Sequence, residues 1–496
     1  MLDKKDPINF ITGDYKLKYE IINTIQEENF KSIYLVKSKI SEEIRVLNTI
    51  PKSRFKNINN LKKDLHKLSE IDNLNIIKII DVFISFTSIN IITEYIQGVT
   101  LKNKLTSLLD ENKAFSEEKA ACIFRQIILA LKYTHSNNII HGEIKLENII
   151  IANEDEEKCV IKIANFSMSN NYTKEFLDLK NKIGINYYHS PESLDGENDE
   201  YSDIWSAGVL LYLILTGAPP FISDIEGDEK IIYNKIKKFD FNYNNKNGIL
   251  ISYLPRKLIS KIICPKEDRL NCTEILNHKF LEEINYKSKN PFEHKNQIIR
   301  QSSFLNNFKE FNNSFLIQKN LYKILVHRFS YSEIKNLNEI FIVLDKDNDG
   351  TISIKEFFKG MKAVFPNYSS KEIKELFDLI DINHSKKINY SEFILASVNK
   401  KIFQEGEKIF EIFDIADNSH DNKISYNEFY RLLGKDIDIK KFKEEYLKFD
   451  ENKDGFISKD EFKKILTKKK ESILQTEKTK ELQVIEKGCC NQCLFI

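Results

Sequence analysis

The stretch Asp345-Lys346-Asp347-Asn348-Asp349-Gly350-Thr351-Ile352-Ser353-Ile354-Lys355-Glu356 decides how the C-terminal part of this chain folds. A hard cation such as Ca²⁺ takes oxygen ligands. A twelve-residue loop supplies them from side chains at positions 1, 3, 5 and 9, a carbonyl at 7 and a bidentate glutamate at 12. Here those positions are Asp345, Asp347, Asp349, Ser353, Thr351 and Glu356, with Gly350 at position 6, where the backbone turns through positive φ. Leu344, Phe341 and Ile340 precede the loop at helical spacing, so a helix delivers the chain into it.

Outward from that loop the pattern recurs. Loops begin at Asp345, Asp381, Asp417 and Asp450, spaced by 36, 36 and 33 residues, the period of a helix–loop–helix array. The fourth is as complete as the first: Asp450, Asn452, Asp454, Ser458 and Glu461, with the Phe456 carbonyl at position 7 and Gly455 at position 6. The third offers Asp417, Ser419, Asp421, Ser425 and Glu428, the Lys423 carbonyl, and Asn422, which tolerates the left-handed turn. The second is the weakest: Asp381, Asn383, Ser385, Asn389 and Glu392, with the Lys387 carbonyl at position 7. Its Lys386 at position 6 costs about 1 kcal/mol in a left-handed conformation, and both lysines place positive charge beside a cation. Isoleucine at position 8 of every loop (Ile352, Ile388, Ile424, Ile457) suits the short ribbon between paired loops. Ser330 followed by Glu333 makes a capping box for the first helix. The array is that of four EF-hands, and it predicts Ca²⁺ binding in the sensor range of about 10⁻⁷–10⁻⁵ M.

The remaining length requires further domains, since 496 residues exceed a single core. Net charge is +1, which points to neither a nucleic-acid nor a strongly acidic partner. Four cysteines are scattered like free thiols in a reducing compartment, while Cys489, Cys490 and Cys493 crowd the terminus. The last four residues, Cys493-Leu494-Phe495-Ile496, fit a prenylation signal on Cys493, with Cys489 and Cys490 as palmitoylation candidates. Lys468, Lys469, Lys470 and Lys487 would assist membrane association, two lipid signals anchoring where one would not. The alternative is an apolar end with spare thiols. Leu2 stands where N-myristoylation needs glycine, so no such lipid is expected, and no stretch is long and apolar enough to span a bilayer. The expectation is a cytoplasmic, membrane-associated protein.

Residues 15 to 101 carry short β-branched runs, Ser32 to Val36 and Ile89 to Tyr95, around one helical stretch at Leu61 to Ile71. From Ser116 to Phe280 the pattern turns helical, clearest at Ala120 to His135 and Ser202 to Thr216. Phe304 to Arg328 reads as a basic amphipathic connector.

Ile139-Ile140-His141-Gly142-Glu143-Ile144-Lys145-Leu146-Glu147-Asn148 resembles the catalytic loop of protein kinases. Asn165-Phe166-Ser167 stands where D-F-G belongs, and Gly184 to Glu192 resembles the end of an activation segment. Ser202 to Val209 and Gly217 to Phe221 are similar to the F-helix region, with Arg269 as the ion-pair partner of Glu192. With four hands behind them, these motifs make the chain similar to the calcium-dependent protein kinases. The resemblance implies an α+β bilobal protein kinase fold followed by an all-α domain of four EF-hands. The implied boundaries are a kinase-like domain at 15–281 (lobes at about 15–96 and 97–281), a junction at 282–329, the hands at 330–466 and a tail at 467–496.

The resemblance also implies losses. Gln26, Glu28 and Lys31 replace the phosphate-covering glycines, Asn48 the strand lysine, and Asp64 its helical glutamate partner. Glu94 and Ile96 fall at further ATP positions, and Val46 at the adenine-contacting alanine. Glu143 replaces the catalytic aspartate and Asn165 the Mg²⁺-binding aspartate, while Lys145, Glu147 and Asn148 keep the catalytic-loop frame. His141, Phe166, Asp203 and Leu68 match the internal spine. Losing one such electrostatic element costs on the order of 10²–10³ in rate, so the pattern is that of a pseudokinase switched by Ca²⁺, with ATP and Mg²⁺ binding in question. Two alternatives stand beside it: an atypical serine/threonine kinase in which Lys31 replaces the strand lysine, and a membrane-tethered Ca²⁺ buffer. Lys31 either reaches the nucleotide cleft or lies on the surface of a degenerate hairpin.

Overall fold

A computed structural model describes residues 10–28, 31–153, 159–166, 172–173, 187–222, 229–243, 249–282, 307–308, 310–311, 314–347, 349–399, 408–433 and 438–467. The chain opens with a six-stranded sheet in the order β1-β5-β6-β4-β3-β2. Its strands are β1 (Phe10–Thr12), β2 (Tyr19–Glu28), β3 (Lys31–Ser38), β4 (Ile44–Pro51), β5 (Ile79–Ile84) and β6 (Ser88–Glu94). Between β4 and β5 lies α1 (Ile58–Ser69), capped by the Asn57 side chain, which accepts from Asn59 and Asn60 N–H. Leu61 and Leu65 are the buried face of α1 against the sheet. The β-branched runs thus form interior strands, and the amphipathic stretch forms the α-helix of this lobe among the described residues.

The second lobe is helical, apart from a three-stranded sheet of β7 (Val99–Thr100), β8 (Ile149–Asn153) and β9 (Val160–Ile163). Its axis is the pair α3 (Glu117–Ser136) and α5 (Glu200–Thr216), flanked by α2 (Leu101–Asp110) and α4 (Pro191–Leu194). Behind them come α6 (Glu229–Lys237), α7 (Tyr253–Ile262) and α8 (Cys272–Leu276). From Ala207 to Thr216 helix α5 is buried on every side, as a stretch without a charged face must be. Gly208 lets α7 approach it, because a Cβ there would come within 2.4 Å of Ile262 Cγ2.

Helix α9 (Leu316–Val326) lies within the connector, and eight further helices pair around four loops: α10 (Lys335–Leu344), α11 (Ile354–Val364), α12 (Ser370–Ile380), α13 (Tyr390–Ser397), α14 (Lys408–Ala416), α15 (Tyr426–Leu433), α16 (Ile439–Phe449) and α17 (Lys459–Thr467). Two antiparallel ribbons join the loops, β10 (Thr351–Ser353) with β11 (Lys387–Asn389) and β12 (Lys423–Ser425) with β13 (Phe456–Ser458). The position-8 isoleucines face each other, Ile352 opposite Ile388 and Ile424 opposite Ile457, all fully buried. One expectation shifts: Glu333 does reach back to Ser330 N–H at 2.7 Å, yet the regular helix begins only at Lys335. Glu333 also pairs with Lys408 across the domain, and that contact holds the turn in front of the helix.

The connector helix is enclosed. Leu321, Tyr322, Leu325 and Val326 are buried in the core shared by the helix pairs. Glu445 accepts from Leu316 and Ile317 N–H at its start, and Tyr322 OH donates to the Leu466 carbonyl at 3.0 Å. No described helix is long and apolar enough to cross a membrane.

Candidate functional site

All four loops share one hydrogen-bond scheme, which follows from the position-1 carboxylate and the position-12 glutamate. The position-6 N–H donates to the first aspartate in each loop: Gly350 to Asp345 (3.0 Å), Lys386 to Asp381 (2.8 Å), Asn422 to Asp417 (2.8 Å) and Gly455 to Asp450 (3.0 Å). These position-6 residues have φ of 84°, 66°, 63° and 84°, so Lys386 adopts the left-handed turn that glycine takes elsewhere. The glutamate at position 12 accepts from the position-3 N–H in each loop, through Glu356, Glu392, Glu428 and Glu461. Its second oxygen takes the position-9 N–H, for example Ser353 to Glu356 at 2.8 Å and Ser458 to Glu461 at 2.9 Å.

Loop 1 concentrates negative charge. Carboxylate oxygens of Asp345, Asp347 and Asp349 lie within 4.8 Å of one another. Burial, together with Asp349, Glu356 and Asp347 nearby, pushes Asp345 up to about 8. A divalent cation relieves that repulsion, so the donor set fits Ca²⁺. In loop 4 the buried Asp450 Oδ1 has no hydrogen-bond partner, an oxygen left available for a cation. Loop 2 is less suited: Ser385 Oγ donates to the Lys387 carbonyl at 2.7 Å, engaging the backbone oxygen expected at position 7. In loop 3, Asp417 and Glu428 hold the scheme, and Asp421 accepts from Lys423 N–H at 2.9 Å.

In the lobe cleft the frame is assembled. The His141 and Phe166 rings sit 4.5 Å apart, and Asp203 accepts from the His141 and Gly142 N–H groups at 2.8 and 2.7 Å. Leu68 packs against the cores on either side. Arg269 grips both oxygens of Glu192. Glu147 pairs with Lys102 at 3.0 Å on the surface.

The charged stations are different. Asn165 Nδ2 donates to Asn148 Oδ1 at 3.0 Å, and Asn148 Nδ2 donates to the Glu143 carbonyl at 2.8 Å. Lys31 Nζ donates to Asn165 Oδ1 at 3.0 Å. The lysine therefore reaches the cleft, half-buried, rather than lying on the hairpin surface. Glu143 pairs with Lys145 at 3.4 Å. Asn48 is buried with its Oδ1 unpartnered, and Asp64 is half-buried on α1. Among the expected positions, the Glu28 side chain lies outside the described residues, as do Cys489, Cys490 and Cys493. Of the two metal stations Asn148 keeps the residue of the motif and Asn165 is the neutral replacement, the two amides are bonded to each other, and Asn48 offers no cation to a phosphate.

Contacts between the two halves carry no local sequence signal. Arg328, fully buried, pairs with Asp81 of β5 at 2.8 Å and Glu411 of α14 at 3.4 Å. Tyr19 OH also donates to Asp81, Ser38 Oγ donates to Glu411 at 2.6 Å, and Arg45 donates to the Arg328 carbonyl at 2.9 Å. Asp72, just after α1, accepts from Ser391 N–H and Oγ at 2.9 and 2.7 Å and so caps α13 at the end of loop 2. Arg125 of α3 lies close enough to Asp345 and Asp347 of loop 1 to feel their charge. The cleft linker joins the same network. Lys162 pairs with Glu94 at 2.9 Å, and Ile96 belongs to the core that encloses α9. Burial opposes ionisation of Glu94, but Lys162 and Lys78 hold it below the ordinary range.

A protein kinase domain family model matches residues 19–281, over half of the chain, and an EF-hand domain pair model matches residues 334–397 and 407–467. The chain belongs to the protein kinase family. Its similar relatives carry the calcium-dependent name. Calcium-dependent protein kinase 22 of Arabidopsis thaliana is 29% identical over 357 residues, 70% of this chain and 69% of that protein. Calcium-dependent protein kinases 5 and 3 of Plasmodium berghei are 28% and 29% identical over 66% of this chain. The chain spans only 56% and 57% of their lengths. Its fold is a mixed-sheet kinase domain followed by a helical EF-hand region, and the hands imply Ca²⁺.

Proposed function

We propose that this member of the calcium-dependent kinase family is a calcium-responsive pseudokinase, a scaffold whose kinase fold is positioned by its EF-hands. The observation that carries the reading is the Asn165–Asn148 amide pair at 3.0 Å. The two side chains at the metal stations satisfy each other and bring no negative charge. Glu143 and Asn48 supply neither the ordinary catalytic geometry nor the phosphate-pairing cation. The apolar spine and the Glu192–Arg269 pair need no ligand, so the frame persists without the chemistry. Ca²⁺ binding at loops 1 and 2 acts on the kinase fold through Asp72 and Arg125, which touch those loops or their field. Prenylation of Cys493, with palmitoylation of Cys489 and Cys490, would hold the scaffold at a membrane.

A second reading has its own observation. Lys31 Nζ stands at Asn165 inside the cleft, which supports an atypical kinase with a displaced lysine. A Mg·ATP thermal-shift titration with and without Ca²⁺, run beside a phosphate-transfer assay, separates the two. The pseudokinase reading expects no transfer in either condition. Ca²⁺-dependent transfer abolished by Lys31→Ala would replace it with the second reading. If Ca²⁺ changes no hydrogen exchange in residues 19–281, the fold serves a Ca²⁺ buffer instead.

A further inference from the structure

Two lysines make the same unusual contact in both loop pairs. Lys387 Nζ lies 2.5 Å from Asp349 Oδ2, and Lys423 Nζ lies 2.8 Å from Asp454 Oδ2. Each lysine is at position 7 of its own loop, and each carboxylate is the position-5 ligand of the partner loop. The ribbon register explains the match. Lys387 is opposite Ser353 and Lys423 opposite Ser458, the position-9 residue of the partner in each case. From there a four-carbon stem reaches the partner's position 5. The reverse contact cannot form, because position 7 is Thr351 in loop 1 and Phe456 in loop 4.

The contact engages the carboxylate that position 5 offers a cation. Asp349 Oδ1 already accepts from Thr351 N–H at 2.8 Å and Thr351 Oγ1 at 2.5 Å, and Lys387 holds Oδ2. Asp454 Oδ1 accepts from Phe456 N–H at 2.9 Å, and Lys423 holds Oδ2. Both lysines are about half exposed and keep their charge in water, so the pairs are screened but not cancelled.

We propose that Lys387 and Lys423 detune the two complete Ca²⁺ loops from across each ribbon, an ammonium offsetting the position-5 carboxylate and raising the Ca²⁺ concentration needed to fill loops 1 and 4. Loops 2 and 3 thereby set the thresholds of loops 1 and 4, whether or not they bind Ca²⁺ themselves. The inference depends on the EF-hands alone and stands whether the kinase fold is active or not. Its size follows from exposed ion pairs: removing one such charge shifts affinity by about two- to fivefold.

The test uses the full chain and a chelator-competition titration of Ca²⁺. With Glu428→Gln and Glu461→Gln silencing the second pair, Lys387→Gln tightens Ca²⁺ binding by about two- to fivefold, and added salt narrows the gap. Lys387→Arg keeps the wild-type affinity. Lys386→Gln removes the same charge one residue earlier, where no contact with Asp349 exists, and shifts the affinity less. In the mirror background of Glu356→Gln and Glu392→Gln, Lys423→Gln gives the same gain for loop 4. Unchanged or weaker binding in both lysine variants overturns the proposal, as does an equal shift in Lys386→Gln. The Ca²⁺-induced rise in thermal midpoint gives a second readout of the same order.

Discussion

The Ca²⁺ loops and the lobe cleft are two cation stations on one chain, built to opposite ends. In loop 1 three carboxylates crowd within 4.8 Å, and burial drives Asp345 up to about 8, so the site is under electrostatic stress that a cation removes. In the cleft the equivalent positions are Asn148 and Asn165, neutral and bonded to each other, with a lysine ammonium on the remaining oxygen. One site gathers carboxylates and the other pairs two amides with a lysine. Yet both sit in packed frames. The difference shows that a frame held by apolar packing and backbone hydrogen bonds, such as His141 on Phe166 or Ile352 on Ile388, does not depend on the charges it was built to carry.

The harshest way to break the comparison is to separate the two regions. Arg328→Ala leaves Asp81 and Glu411 buried without their cation, and such a deletion costs about 3–5 kcal/mol. Denaturant unfolding of the full chain should show that loss, with hydrogen exchange rising first in β5 and α14. If stability is unchanged, the halves are not coupled through this triad. A smaller effect comes from returning charge to the cleft. The triple change Asn48→Lys, Glu143→Asp and Asn165→Asp should raise phosphate transfer by about 10²–10³ over the wild-type background, and each single change by far less, because such groups act as a unit. A single change that restores transfer would show that the other stations already function. Smaller again is the converse in the loops. Glu356→Gln with Glu461→Gln should weaken Ca²⁺ binding by at least the roughly 10–100-fold that even outer-shell partners carry, read by chelator competition.

The frame was legible because its signals are local. Periodicity over Ala120 to His135 anticipates α3, and the β-branched run over Ile89 to Tyr95 anticipates β6. The convergence of Asp345, Asp347 and Asp349 follows from loop spacing and a positive φ at Gly350. Lys31 was ambiguous because a hairpin lysine points either to water or under the sheet, and only the twist and bulges of β2 against β3 decide. The Arg328 triad was not legible at all. Its members are 247 and 83 residues apart, and Arg-Phe-Ser at 328 to 330 looks like any helix end. Asp72 and Arg125 were missed for the same reason: their partners belong to another domain.

The gentlest probe of the junction is pH. His327 closes the connector helix beside Lys78 and Arg328, and burial together with those cations pushes it down to about 4, with Asp72 opposing. In the unfolded chain the ring titrates near its ordinary value of about 6.5. Between these values the unfolded chain binds a proton that the folded chain rejects, so stability falls as pH drops from about 6.5 towards 4 and is unaffected above that window. Because the ring is only partly enclosed, the loss between pH 7 and pH 5 should be about 1–2 kcal/mol. The measurement compares denaturation midpoints of wild type and His327→Gln at both pH values in saturating Ca²⁺, where the cation keeps the loop carboxylates ionised. Wild type should lose more than the variant on acidification. Equal losses would mean that the ring sits in water, and that the two halves meet less closely around Lys78 and Asp72 than the buried Arg328 triad implies.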